Sequence, residues 1–162
     1  MREIHQFLQE KEDIQTILDG ISNGMKEQLV AGLAGPARSM LVSAINESTK
    51  RPVLLVTHQL LQAEQLYDDI TDLVGEDRVH LYPVNELIAS EIATASPELR
   101  SQRIEALTAW SKGKSGILIA PIAALKRILP SPSDWLKYQL KFKEGEEIDV
   151  DAYFSFLVEM GY

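Results

Sequence analysis

Residues 28–39 read Gln28-Leu29-Val30-Ala31-Gly32-Leu33-Ala34-Gly35-Pro36-Ala37-Arg38-Ser39. The first four are a short apolar run ending at a glycine, the pattern of a buried strand. Gly32 to Gly35 is a turn. From Arg38 to Ser48, Met40, Leu41, Ala44 and Ile45 recur at helical spacing, so a helix follows. A strand, a glycine-rich turn and a helix are the context of a phosphate loop, with the pattern G-x-x-x-x-G-K-[ST]. In such a loop the glycines let backbone N–H groups curl around phosphate oxygens, the lysine reaches the terminal phosphates and the hydroxyl binds magnesium. Gly32 and Ser39 stand in register with that pattern, but Ala37 replaces the second glycine and Arg38 the lysine. Pro36 removes a backbone donor. Ala37 is expected to place a Cβ where the backbone needs a positive φ, at a cost of about 1 kcal/mol. The planar fork of Arg38 does not reproduce the point charge of a lysine. The loop residues Gly32, Gly35, Ala37, Arg38 and Ser39 are therefore read as vestigial, with no cofactor expected there. Spacing alone fits an ordinary glycine-rich turn equally well.

Upstream, Ile4, Phe7, Leu8, Ile14, Ile17, Leu18 and Ile21 predict a helix over 4–21. Downstream, Arg51-Pro52 ends the helix that follows the loop. Val53 to Thr57 is then a second apolar strand, suited to a parallel sheet covered on both faces. Ala63, Leu66, Tyr67, Ile70, Leu73 and Val74 mark a helix closed by Gly75. Val79 to Tyr82 predicts a third strand stopped by Pro83, and 83–95 a loop of mixed character. Ser96-Pro97-Glu98 starts a helix, with an N-cap serine, proline at the first position and an early acid. It runs to about Ser111, with Leu99, Ala106, Leu107 and Trp110 on one face. Ile117 to Ala120 is a fourth strand, and Pro121 to Leu129 a helical turn with Ala124, Leu125 and Ile128 apolar.

Strands alternating with helices predict an α/β fold: a P-loop NTPase-like parallel sheet flanked by helices over residues 1–130. Pro130-Ser131-Pro132-Ser133 marks a boundary. Beyond it, Trp135 to Phe142 alternates as a half-exposed strand, Lys143 to Glu147 is a charged turn, and Val150 to Met160 is a helix. One strand and one helix are too little for a core, so 131–162 is read as the beginning of a second, small α+β domain.

The chain has 162 residues, and a hydrophobic content of 45% suffices for one core. Its formal net charge of −8 argues against autonomous DNA binding, because each phosphate contact needs a Lys or Arg. The absence of cysteine excludes disulfides and thiolate metal sites. The first residues lack the apolar stretch of a signal peptide, and no run approaches the ~20 residues of a membrane span. A cytoplasmic protein with no membrane partner is expected.

His5, His58 and His80 are isolated in sequence, and no metal site is expected from them. His58 is read as a loop residue or a helix-start contact. Asp68, Asp69 and Asp72 fall on the polar face of a helix and read as solvated. Arg100 and Arg103, with Glu98, read as ion-pairing residues, a phosphate contact being the alternative. Ile88, Ala89, Ile92 and Ala93 read as a loop packed on the core. Ser39, Ser43 and Ser90 lack the context of an activated nucleophile.

The loop, followed by Arg51-Pro52-Val53-Leu54-Leu55-Val56-Thr57-His58, is similar to the first two motifs of the excision-repair subunit UvrB. Leu81-Tyr82-Pro83-Val84-Asn85-Glu86-Leu87, Ser96 to Ile104, and Ala120-Pro121-Ile122-Ala123-Ala124-Leu125 resemble the bacterial transcription-repair coupling factors. That resemblance implies a UvrB-like module whose core is interrupted by a second domain that binds UvrA. In the full-length protein it implies an ATP- and Mg-dependent DNA translocase that releases stalled RNA polymerase from damaged DNA and recruits UvrA for nucleotide excision repair. RNA polymerase and DNA would be met by other parts of that protein. Two departures from UvrB stand out. The phosphate loop is degenerate, and no magnesium-binding acid pair follows a strand, Glu146-Glu147 lying in the charged turn. The stretch Tyr82 to Ser96, where UvrB has an aromatic DNA-clamping hairpin, holds one aromatic residue, too few to grip by stacking. A non-catalytic docking or regulatory role is expected. The alternatives are an active nucleotide-hydrolysing or helicase fragment that tolerates Arg38, and a structural module that masks the motor in the intact protein.

Overall fold

A computed structural model describes residues 11–84, 97–113, 116–126, 128–137, 139–140 and 142–159. Val53–Thr57 (β1), Val79–Leu81 (β2) and Ile117–Pro121 (β3) form one parallel sheet in the order β1-β3-β2. Val53 stands opposite Ile117 on one side of β3, and Val79 opposite the same residue on the other. The central position of β3 explains its uninterrupted apolar sequence, since all five of its residues are buried. The helices are Glu12–Ser22 (α1), Ala37–Thr49 (α2), Leu60–Val74 (α3) and Pro97–Ser111 (α4).

α3 covers one face of the sheet. Its Ala63, Leu66 and Ile70 are buried against Val79, Leu81, Ile117 and Ile119. The spacing 63, 66, 70 is the helical stripe that the sequence predicts. Burying a side chain such as Ile70 contributes about 2–3 kcal/mol. α4 covers the other face, where Ala106 packs with Tyr82, Leu118, Ala120 and Ala124, and Leu107 and Trp110 lie alongside. That cover stops short of β1, whose Leu54 and Val56 remain 46% and 44% exposed. The expectation of a sheet covered on both faces thus holds for β3 and not for β1.

The strand expected at Gln28–Ala31 does not form. Leu29 is 96% exposed, and the segment pairs with none of the three strands. It is tied instead to α1: Gln28 Nε2 donates to the Ile17 carbonyl at 3.1 Å, and the Gln28 side chain lies over Gly20. Three apolar residues, Leu29, Val30 and Ala31, without a neighbouring ladder bury too little to hold an extended strand.

α2 departs from its expected apolar face. Leu41 and Ala44 are buried as predicted, but so are Ser39, Ser43 and Asn46, while Met40 and Ile45 are half-buried. Asn46 Nδ2 donates to the carbonyls of Arg51 (2.9 Å) and Gly116 (3.4 Å). Arg78 fixes the same turn, donating through Nη1 to Glu47 at 2.6 Å and through Nη2 to Asn46 Oδ1 at 2.7 Å. Lys50 also reaches Glu47, at 2.6 Å. Polar residues are tolerated inside when partnered, and this set joins the end of α2 to the starts of β2 and β3. Gly116 is required there, because a Cβ would come within 2.9 Å of the Arg78 carbonyl oxygen.

The chain divides into two compact units, Met1–Ile128 and Leu129–Tyr162. In the second, Pro132–Lys137 is a helix (α5), not the beginning of the strand expected at Trp135–Phe142. Ser131 caps it: its hydroxyl accepts the Asp134 N–H at 3.2 Å and donates to the Asp134 carboxylate at 2.6 Å, with Pro132 at the first helical position. Val150–Glu159 (α6) follows, capped by Asp149, which accepts the Ala152 N–H at 3.0 Å. The described residues of this unit therefore contain helices and no strand, so the α+β character expected of it is not seen among them. Within it, Phe142 meets Tyr153 edge-on at 5.5 Å.

Candidate functional site

Gly32 and Gly35 adopt positive φ values of 80° and 52°, backbone that favours glycine. Pro36 then caps α2 with φ −68°, and Ala37 opens the helix. The strain expected at Ala37 is therefore absent, because the left-handed residues are the glycines and the helix begins one residue earlier than predicted. Arg38 is exposed. Ser39, in register with a magnesium ligand, is 1% exposed and donates its hydroxyl to Asp69 Oδ2 on α3 at 3.0 Å. Asp69 is thus a partner for the loop helix and not only part of a solvated acidic face. A nucleotide suits this loop poorly: the proline lacks an N–H, and Arg38 stands in place of the lysine. The loop does form the turn that the sequence predicts, without the strand that should precede it.

The second candidate lies at the end of β2. Arg103 donates through Nη2 to the Tyr82 hydroxyl and through Nη1 to the Pro83 carbonyl, with its guanidinium 4.0 Å from the Tyr82 ring centroid. Arg103 is engaged in holding the exit of β2 against α4. Tyr82 is 1% exposed, so its ring offers no platform to a base. His5, the Ile88–Ala93 group, Ser90, the Ser96 cap and Met160 lie outside the described residues. At the start of α3 the His58 N–H donates to the Gln62 side chain at 3.4 Å, the helix-start contact expected of it. Glu146 and Glu147 are exposed beside a turn.

A feature that sequence reading missed is a groove of about 940 Å³ along β2, between α3 and α4. Val79, His80 and Leu81 line it together with Tyr67 and Trp110. Burial pushes the His80 imidazole below its ordinary value, opposed by the nearby Glu105 carboxylate. The signal was weak in sequence because the lining is drawn from segments far apart along the chain.

No protein-family model matches the chain. Over all 162 residues it is 46% identical to the transcription-repair-coupling factor of Bacillus subtilis (strain 168), of which it spans 14%. Over 139 residues, 86% of the chain, it is 36% identical to the transcription-repair-coupling factor of Staphylococcus aureus (strain bovine RF122 / ET3-1) and 35% identical to that of strain USA300. It spans 12% of each of these. The chain belongs to the transcription-repair-coupling factor family. The resemblance carried by the runs 81–87, 96–104 and 120–125 therefore pointed to the right family. Of the three, the first begins at the last residue of β2, the second contains the Arg103 anchor, and the third runs from the end of β3 into the helical turn Ile122–Lys126. Two of the three runs thus include residues of sheet strands, and each carries residues that build the first unit.

Proposed function

We propose that this chain is a non-catalytic docking and regulatory module of a transcription-repair coupling factor, built on a UvrB-like, P-loop-derived core over residues 1–130. Residues 131–162 begin a UvrA-binding domain. The intact cytoplasmic protein releases stalled RNA polymerase from damaged DNA with ATP and magnesium, and recruits UvrA for nucleotide excision repair. The observation that carries the non-catalytic part is Pro36 at the N-cap of α2, where the loop loses a backbone donor. Arg38, exposed at the start of the same helix, stands where a phosphate loop has its lysine. The net charge of −8 supports docking to protein in preference to DNA.

Calorimetric titration with Mg-ATP tests the first part: no saturable heat up to millimolar nucleotide is expected. Saturable binding that is lost in Arg38→Ala makes the chain an active nucleotide-binding fragment and overturns the reading. UvrA pull-down with this chain and with the full-length protein tests the second part. Capture by neither refutes the recruitment role.

A further inference from the structure

β2 is the second edge of the sheet, and among the described residues it pairs with β3 alone. The Tyr82 N–H donates to the Ile119 carbonyl at 2.8 Å. The two-residue alternation of a strand therefore turns the N–H and C=O of Leu81 toward the open side. The groove of about 940 Å³ runs along that side, with β2 as its floor. Because α3 and α4 cover opposite faces of the sheet, the groove is a slot between two helices with a strand edge at its base. Tyr67 of α3 and Trp110 of α4 both line it.

The charged lining is unbalanced. Among the described residues, Glu105 contributes from α4, and Glu76 and Asp77 from the turn before β2, against one cation, Lys112. We propose that this slot binds an extended, lysine- or arginine-bearing segment of a separate partner protein, added beside β2 as a fourth strand. Main-chain pairing at Leu81 sets the register, as in strand addition generally. The cationic side chains meet Glu105, Glu76 and Asp77, and their aliphatic stems rest on Tyr67 and Trp110. Burial keeps His80 neutral near pH 7, so the floor adds no opposing charge. The acidic lining disfavours nucleic acid as the occupant.

The probe is an end-capped hexapeptide of alternating lysine and valine, compared with one of alternating glutamate and valine. Trp110 fluorescence is followed in a Trp135→Phe background, and exchange of the Leu81 amide by NMR. Saturable binding of the lysine peptide with slowed Leu81 exchange is expected. Glu105→Gln should weaken it about fivefold and Lys112→Glu should tighten it by a similar factor. Absence of saturation, equal binding of the glutamate peptide, or unchanged Leu81 exchange overturns the proposal. The same titration on the full-length protein identifies the source. If the peptide binds the chain but not the longer protein, a segment of the same polypeptide fills the slot and the separate-partner proposal fails.

Discussion

Ser39 on α2 donates a hydrogen bond to the Asp69 carboxylate on α3, while Ser43, one turn further along the same buried face, leaves its hydroxyl without a partner. The two serines should therefore respond oppositely to the same substitution. Ser39→Ala forfeits a bond to a charged acceptor and is expected to cost about 1–2 kcal/mol. Ser43→Ala removes a desolvated, unpaired hydroxyl and gains helix propensity, so it is expected to be neutral or stabilising by about 0.5 kcal/mol. Urea unfolding of both variants checks the pair, and equal destabilisation by both contradicts it.

Arg103 gives a second prediction. Its fork serves two acceptors at once, the Tyr82 hydroxyl and the Pro83 carbonyl, and its plane lies over the Tyr82 ring. Arg103→Ala is expected to cost about 2–3 kcal/mol from lost bonds and cation–π contact. Arg103→Lys should recover less than half of that, since an ammonium does not reproduce the planar geometry. Tyr82→Phe should cost less than Arg103→Ala, because the ring contact and the bond to Pro83 survive. Thermal melts that rank lysine beside the wild type refute this assignment.

The α/β class was legible because α3 and β3 declare themselves locally: Ala63, Leu66 and Ile70 at helical spacing, and five apolar residues in β3. Position within the sheet was not legible. Val53–Thr57 and Ile117–Pro121 look alike in sequence, yet one is an edge strand with Leu54 and Val56 exposed and the other is central. Gln28–Ala31 misled for the same reason, since a strand needs a ladder partner and a four-residue run does not say whether one exists. Ser131-Pro132-Ser133-Asp134 was open to correct reading. It carries the same serine–proline–acid signal that marks the start of α4, and it capped α5 where a domain boundary and the beginning of a strand were expected. The loop at Gly32–Ser39 showed its missing lysine in sequence, but the Ser39–Asp69 bond spans thirty residues and had no local signature.

Gly116 tests how tightly the start of β3 is set. The Arg78 carbonyl oxygen sits 2.9 Å from where a Cβ would lie, and both groups are backbone or rigidly attached to it. Neither side has a flexible end that can swing away, so the strands must separate. Gly116→Ala is expected to cost about 1–3 kcal/mol. Hydrogen exchange should quicken at β2 and β3 more than within α1, and a uniform change across the chain counts against a local clash.

The cluster around Glu47 makes stability depend on acid. Hydrogen bonds from Lys50 and then from Arg78 hold the Glu47 carboxyl down to about 2, from an ordinary 4.5. A carboxyl with a depressed folded value contributes stability that is present above its unfolded value and lost as pH falls through its folded value. The loss should therefore run from about pH 4.5 down to about pH 2. The two cations are not equivalent. Lys50 is three residues from Glu47, just past the end of α2, and its side chain is 62% exposed, whereas that of Arg78 is 31% exposed and also held by Asn46. Lys50→Gln is expected to cost about 0.3 kcal/mol. Arg78→Ala leaves Asn46 Oδ1 unpaired and Glu47 with Lys50 alone, and should cost about 2 kcal/mol or more. Glu47→Gln should be less stable than the wild type at pH 7 and converge on it by about pH 2, because the protonated acid and the amide are then both uncharged. Urea midpoints measured across this pH range decide the matter: a stability gap between wild type and Glu47→Gln that stays constant down to pH 2 removes Glu47 as the titrating group.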